Sequence, residues 1–166
     1  MTNEQVKQQL LAQFPDLGAW EEQYGMLTFN VPAAKNLEVI QYLYSDAALQ
    51  FRFLTDLTAV HYPDRAGEEL CVVYHLHNLV ENFRLRMKAY VPVADPRIQS
   101  VTPVFSGANW MERETYDFFG VNFTGHPNLT RILNVDEMDY FPMRKEYPME
   151  DPTRTDKDDE MFGRGG

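Results

Sequence analysis

Residues 83–91 read F-R-L-R-M-K-A-Y-V, and this unbroken alternation limits what the chain can fold into more than any other stretch. Successive side chains of an extended strand leave on opposite faces. Phe83, Leu85, Met87, Ala89 and Val91 therefore point one way, and Arg84, Arg86, Lys88 and Tyr90 the other. A strand divided in this manner needs a sheet with one face on a core and one face charged, which is the antiparallel habit. Leu70–Asn78, just upstream across a short turn, supplies the partner of a hairpin.

The other elements fit around that hairpin. Residues 2–14 carry Val6, Leu10 and Phe14 at helical spacing and stop at Pro15. Met26–Val31 sets Leu27, Phe29 and Val31 against Thr28 and Asn30, a half-buried strand. Pro32 opens a helix expected over 33–45, with Leu37, Ile40 and Tyr44 on one side. Residues 49–53 and 58–62 read as two short strands, the second leaving through the turn-rich P-D-R-A-G at 63–67. Asp95-Pro96 starts a short turn near 97–101. Helix, strand, helix and then several strands predict an α+β fold, a two-layer domain of helices on a mostly antiparallel sheet. Past residue 133 the periodicity fades. Pro142, Pro148 and Pro152, an acid-rich stretch at 150–160 and the glycines at 163–166 mark an extended C-terminal arm. The expected division is a domain over 1–133 and an arm over 134–166.

Between those parts lies W-M-E-R-E-T-Y-D-F-F-G-V-N-F-T-G-H-P-N-L-T-R-I-L at 110–133. A helix of about ten residues is expected over 110–119, with Asn109 and Glu112 as a capping pair and Gly120 as the left-handed residue past its end. Trp110, Phe118 and Phe119 call for burial, yet Glu112, Arg113, Glu114 and Asp117 are spread around the same circumference, so no clean apolar stripe can be drawn. Such a helix is either buried with its charges paired or covered by something outside the chain. Arg113 and Asp117 are four apart and can pair along the helix, leaving Arg131 for Glu112 or Glu114. Gly120, Gly125 and His126-Pro127 make the following connection tight.

Charge and composition exclude several classes. The chain has 166 residues, 44% apolar and 24% charged, which suits one globular domain with a core. A net charge of −10 without a basic stripe argues against a nucleic-acid partner and against an anionic membrane surface. The longest uncharged apolar-rich run, residues 71–80, is too short for a bilayer-spanning helix, so no direct membrane insertion is expected. Residues 1–15 hold Glu4, Gln8 and Gln9 with no basic start and apolar block, so no export signal is expected. A single cysteine suits a reducing cytoplasm. Neither a glycine-rich dinucleotide loop nor a phosphate-cradling Gly-Lys-Ser/Thr loop is visible. Cys71, His75 and His77 share one strand parity, and His75 and His77 with His61 from a neighbouring strand compose the alternative reading, a stand-alone metal-binding enzyme. Glu112 and Glu114, two apart on a helix, point in different directions and make no acid/base pair.

The run E-R-E-x-Y-D-F-F-G-V-x-F-x-G-H-P-N-L-x-R-I-L at 112–133 closely resembles the signature of the C subunit of proton-pumping NADH–quinone oxidoreductase, respiratory complex I. Asp56-Leu57-Thr58-Ala59-Val60 and Gly107-Ala108-Asn109-Trp110 look like further family positions, so the likeness covers roughly residues 50–150. It implies helices on one face of a small mixed sheet. It also implies a structural subunit of the peripheral arm, peripheral on the cytoplasmic face of the membrane, beside the quinone-site and iron–sulfur subunits. Iron–sulfur clusters, FMN and quinone then belong to those neighbours, and the subunit carries no cofactor of its own. Arg113, Glu114, Tyr116, Asp117, Phe118, Phe119, Gly120, Gly125, His126, Pro127 and Arg131, with Glu112, are the residues expected to fix the motif and its contact surface. Arg144 and Lys145 are expected to pin the arm. Near them the chain has Tyr140-Phe141 where the family pattern has Gly-His.

Overall fold

The computed structural model describes residues 1–147. The acid-rich stretch 150–160 and the closing glycines assigned to the arm lie outside the described residues. The order is α1 (Asn3–Gln13), β1 (Gly18–Gln23), β2 (Met26–Val31), a 3-10 turn (Ala33–Lys35), α2 (Asn36–Ser45), β3 (Phe53–His61), β4 (Leu70–Asn78), β5 (Phe83–Val91), β6 (Arg97–Gln99), α3 (Ala108–Phe119) and β7 (Asn122–Thr124). Strands β1-β2-β5-β4-β3 form one sheet, antiparallel except for the parallel β2–β5 pair, and β6 and β7 form a small parallel pair. The fold is the expected α+β arrangement of helices on a mixed, mostly antiparallel sheet.

Register turns the sequence alternation into a core. Three rows cross β2, β5, β4 and β3: Leu27, Leu85, Leu76, Leu54; Phe29, Met87, Tyr74, Leu57; and Val31, Ala89, Val72, Ala59. All twelve are buried, and Val6, Leu10 and Phe14 of the α1 region with Val39, Ile40 and Leu43 of α2 pack into the same cluster. The hairpin forms over the residues the alternation indicates, with Arg84, Arg86, Lys88 and Tyr90 on the outer face. Helix α1 starts at a capping box, in which Thr2 accepts from Gln5 N and the Gln5 side chain accepts from Thr2 N.

Three local expectations are corrected, and one strand is new. Residues 33–45 are not one helix: the tighter 3-10 turn after Pro32 rotates the helix that succeeds it, so α2 buries Asn36, Val39, Ile40 and Leu43 while Tyr44 is exposed. In place of the two short strands expected at 49–53 and 58–62 there is one strand, β3, with a bulge between Leu54 and Asp56, and Leu49 and Phe51 are buried in the loop before it. Strand β1 has no counterpart in the sequence reading. Its acids Glu21 and Glu22 hide the pattern, as edge strands often do, and only Trp20 packs inward, 4.9 Å from the Phe29 ring. The turn expected near 97–101 contains strand β6, which with β7 brackets α3 and sets it along the free edge of β3.

Candidate functional site: helix α3 and the segment strapped to it

Helix α3 does have a buried stripe, at Ala108, Glu112, Thr115 and Phe119, spaced as one helix face requires. It escapes a sequence reading because two of its four positions are polar. Glu112 is fully buried and is not a cap: it accepts hydrogen bonds from Ser100 Oγ and Val101 N, each at 2.6 Å, tying α3 to the loop after β6. The helix begins at Gly107 with no side-chain cap, correcting the Asn109–Glu112 pair. Burial raises the Glu112 carboxyl to about 7, and the two hydrogen bonds only partly oppose that. Glu114, on the far side, is exposed, and so is Trp110, 58% accessible, against the expectation that it would be buried. Thr115 donates to Met111 O at 2.8 Å.

The next residues lie along α3 as an irregular strap from residue 126 to 134, held rung by rung and bent at 132–134. Gly125, at φ +85°, turns the chain, and His126 Nδ1 accepts from Asn128 N at 3.0 Å. That leaves Nε2 as the protonated nitrogen, which donates to Asn109 O at 3.1 Å; Pro127 is exposed on the turn. Arg113 lies 5.2 Å over the Trp110 ring and donates to Thr130 O and Arg131 O at 3.1 and 3.0 Å, not to Asp117. Asp117 pairs instead with Arg131, which takes neither Glu112 nor Glu114.

Asp117 is the centre of the arrangement. Its carboxylate is fully buried and accepts from Ile132 N, Leu133 N, Asn134 N, Asn134 Nδ2 and Arg131 Nη1 at 2.8–3.1 Å. Burial on its own would raise its pKa. The three backbone N–H groups and the Arg131 guanidinium outweigh it and hold the carboxyl well below the usual carboxylate range. Arg131 also donates to Asp117 O, Met138 O and Tyr140 O, so the chain beyond the strap folds back onto the same guanidinium.

The return segment closes the end of α3. The guanidinium groups of Arg131 and Arg144 both lie over the Phe141 ring, 5.1 and 4.7 Å from its centroid, and Tyr116 meets that ring edge-on at 6.0 Å. The helix's last carbonyls are all taken: Asp117 O by Arg131, Phe118 O by Met143 N, and Phe119 O by Arg144 Nε. Two cations thus sit at the negative end of the helix dipole. Gly120 has the left-handed conformation expected, φ +77°, and a Cβ there would lie 2.5 Å from Phe141 Cε2 and 2.6 Å from Arg144 Nη2. Lys145 attaches the segment through its backbone N, which donates to His61 Nδ1 at 2.9 Å.

Most of the motif's charged groups are therefore turned inward, and the outward surface of residues 126–147 mixes apolar and polar side chains: Leu133 and Val135 are 65% and 64% exposed, Tyr140, Met143 and Tyr147 join them, and the exposed acids Asp136, Glu137, Asp139 and Glu146 stand beside them. The three histidines of the metal reading do not converge. His61 pairs in register with core-facing Leu70, whereas His75 and His77 share the outer face, because the bulge in β3 leaves His61 on the inner parity. His75 accepts from Arg86 Nε at 2.8 Å and donates through Nδ1 to Asp56 Oδ2 at 3.3 Å, and His77 meets Asn82 Oδ1 at 3.2 Å. Among the described residues no cluster of three His, Cys, Asp or Glu side chains could hold a metal ion, and no helix is long and apolar enough to cross a membrane.

Comparison with known proteins gives one answer. The chain is 47% identical over 125 residues to the NADH-quinone oxidoreductase C subunit of Nocardioides sp., covering 75% of this chain and 50% of that protein. It is 40% identical to the C subunit of the Caulobacter vibrioides NADH-quinone oxidoreductase, over 95% of this chain and 79% of that protein. The chain spans about half the length of the Nocardioides and Streptomyces coelicolor relatives. Among solved structures, a trypsin-resistant fragment of Nqo5 superposes with a TM-score of 0.66 at 34% identity, over 78% of this chain and all of the fragment. A chain of the membrane-bound sulfane sulfur reductase, an archaeal respiratory membrane complex, gives 0.75 at 28% identity over 88% of this chain and 85% of that one. The profile of the family described as the 30 kDa subunit of the respiratory-chain NADH dehydrogenase matches residues 29–153, and the chain belongs to that family.

Proposed function

We propose that the chain is a non-redox structural subunit of the peripheral arm of NADH–quinone oxidoreductase. In this role it sits on the cytoplasmic face of the membrane, against the quinone-site and iron–sulfur subunits. Those neighbours hold the FMN, iron–sulfur clusters and quinone through which electrons leave NADH, coupled to proton translocation. The observation that carries the reading is the strap on α3. Asp117, Arg131 and Arg144 are used within the chain, while Leu133, Val135, Tyr140, Met143 and Tyr147, side chains of the kind that interfaces bury, stand exposed on the strap and the segment that follows it. The domain 1–133 would supply the rigid mount and the arm 134–166 the reach across a partner. The likeness to a chain of a sulfane sulfur reductase supports a placing role, because the same fold then serves assemblies that act on different substrates. It also motivates a second reading, in which the donor to the assembly is not NADH.

A tagged full-length chain purified from gently solubilised membranes tests this. The expected preparation contains iron–sulfur and FMN-bearing partners and reduces quinone with NADH, an activity the isolated chain lacks. Recovery of the chain alone, or turnover by the isolated chain, refutes the proposal. An intact assembly inert towards NADH selects the second reading.

A further inference from the structure

The turn between β4 and β5 carries Leu79 and Val80 at its tip, 63% and 87% exposed, where turns ordinarily place polar residues. The tip is braced from within. Asn78, itself buried, accepts from Val80 N and Glu81 N at 2.9 Å and donates to Leu49 O at 2.8 Å, and Asn82 Oδ1 meets His77 Nε2. Beside the tip, register sets Phe53, 46% exposed, opposite His77, and His77 opposite Arg84. From Arg84 the outer face of β5 continues through Arg86 and Lys88 at steps of about 7 Å. Three cations thus line one strand of a chain whose net charge is −10. Arg86 is tied to His75, Lys88 faces Glu21 at 3.8 Å, and Arg84 has no carboxylate partner among the described residues.

We infer that Phe53, Leu79 and Val80, with Arg84, Arg86 and Lys88 alongside, form a second docking surface, and that its occupant is an acidic protein surface with an apolar cleft. The inference rests on the assembly reading above; the occupant is a neighbouring subunit. Charge makes the choice of partner: Lys88 faces Glu21 and Arg86 reaches Asp56 through His75, so Arg84 is the cation of the row left to attract an acidic surface and repel a basic one. Exposed ion pairs chiefly orient and speed association. Two apolar side chains on a braced turn can be desolvated in a cleft with little backbone left to order, and they supply the anchor.

The test compares wild type with Val80→Asp and Arg84→Glu in the tagged full chain purified with its assembly; both positions are exposed and outside the core. Val80→Asp is expected to lower the co-purifying assembly at least tenfold. Arg84→Glu is expected to bring dissociation to a lower salt concentration than wild type. Unchanged recovery and salt sensitivity in both variants, with wild type assembling normally, overturns the docking surface and leaves the assembly reading standing. Wild type recovered alone overturns both. Hydrogen exchange on the free chain covers another occupant: protection over the turn residues 79–82 present in free wild type and lost in Arg84→Glu would point to the chain's own 148–166 segment there and overturn the partner.

Discussion

Replacing Asp117 with Asn leaves the side chain's shape intact and removes its charge, so it isolates what the carboxylate does. Five hydrogen bonds converge on the two oxygens, three from consecutive backbone N–H groups, one from Asn134 and one from Arg131. The amide oxygen of Asn accepts about two of them, and its own N–H groups oppose the rest. Each buried donor left unmet costs about 1–3 kcal/mol. Breaking one half of a buried ion pair costs about 3–5 kcal/mol. Arg131 keeps three carbonyl acceptors, so the two costs overlap, and about 4 kcal/mol is the expected total. The loss falls on the strap rather than on the sheet, because Glu112 and the apolar rows hold α3 independently. Native-state hydrogen exchange should show the amides of Ile132, Leu133 and Asn134 exchanging about a thousandfold faster, while β4 and β5 keep their protection. If those three amides stay within tenfold of wild type, the carboxylate is not what holds the strap.

The same geometry sets three further outcomes. Because burial pushes the Glu112 carboxyl up from 4.5 to about 7 in the folded state, that state binds the extra proton between those values. Stability from this group is therefore full below about pH 4.5 and falls by about 3 kcal/mol as pH rises through 7; Glu112→Gln should flatten that slope in denaturant titrations at pH 5 and 8. Asp117 has the opposite sign. Its lowered pKa contributes stability that is present above the usual carboxylate range and lost on acidification, so Asp117→Asn should remove a component of acid unfolding seen by circular dichroism. Gly120→Ala combines a left-handed backbone with a Cβ driven into Phe141 and Arg144. It should cost about 2 kcal/mol or more and open residues 141–145 to protease, whereas Gly107→Ala, where a Cβ meets nothing within 4 Å, should not open them.

Much of this protein is legible before any coordinates are seen. Alternation in Phe83–Val91 fixes which side chains form the core rows, since strand parity is a property of covalent geometry. Gly120 is legible for the same reason: a left-handed residue past a helix end is a local demand, met by glycine almost alone. The signature at 112–133 likewise identifies the family from its residue order. Only the tertiary structure decides which charge meets which. Arg113 and Asp117 stand four apart on a helix, yet each is satisfied by groups in a segment beyond the helix, so the local rule loses to a long-range one. Glu112 looks like a surface cap and is fully buried, because the loop after β6 offers it two donors that no sequence window contains. His61 is parted from His75 and His77 by one bulge, and a single extra residue is enough to exchange the faces of a sheet.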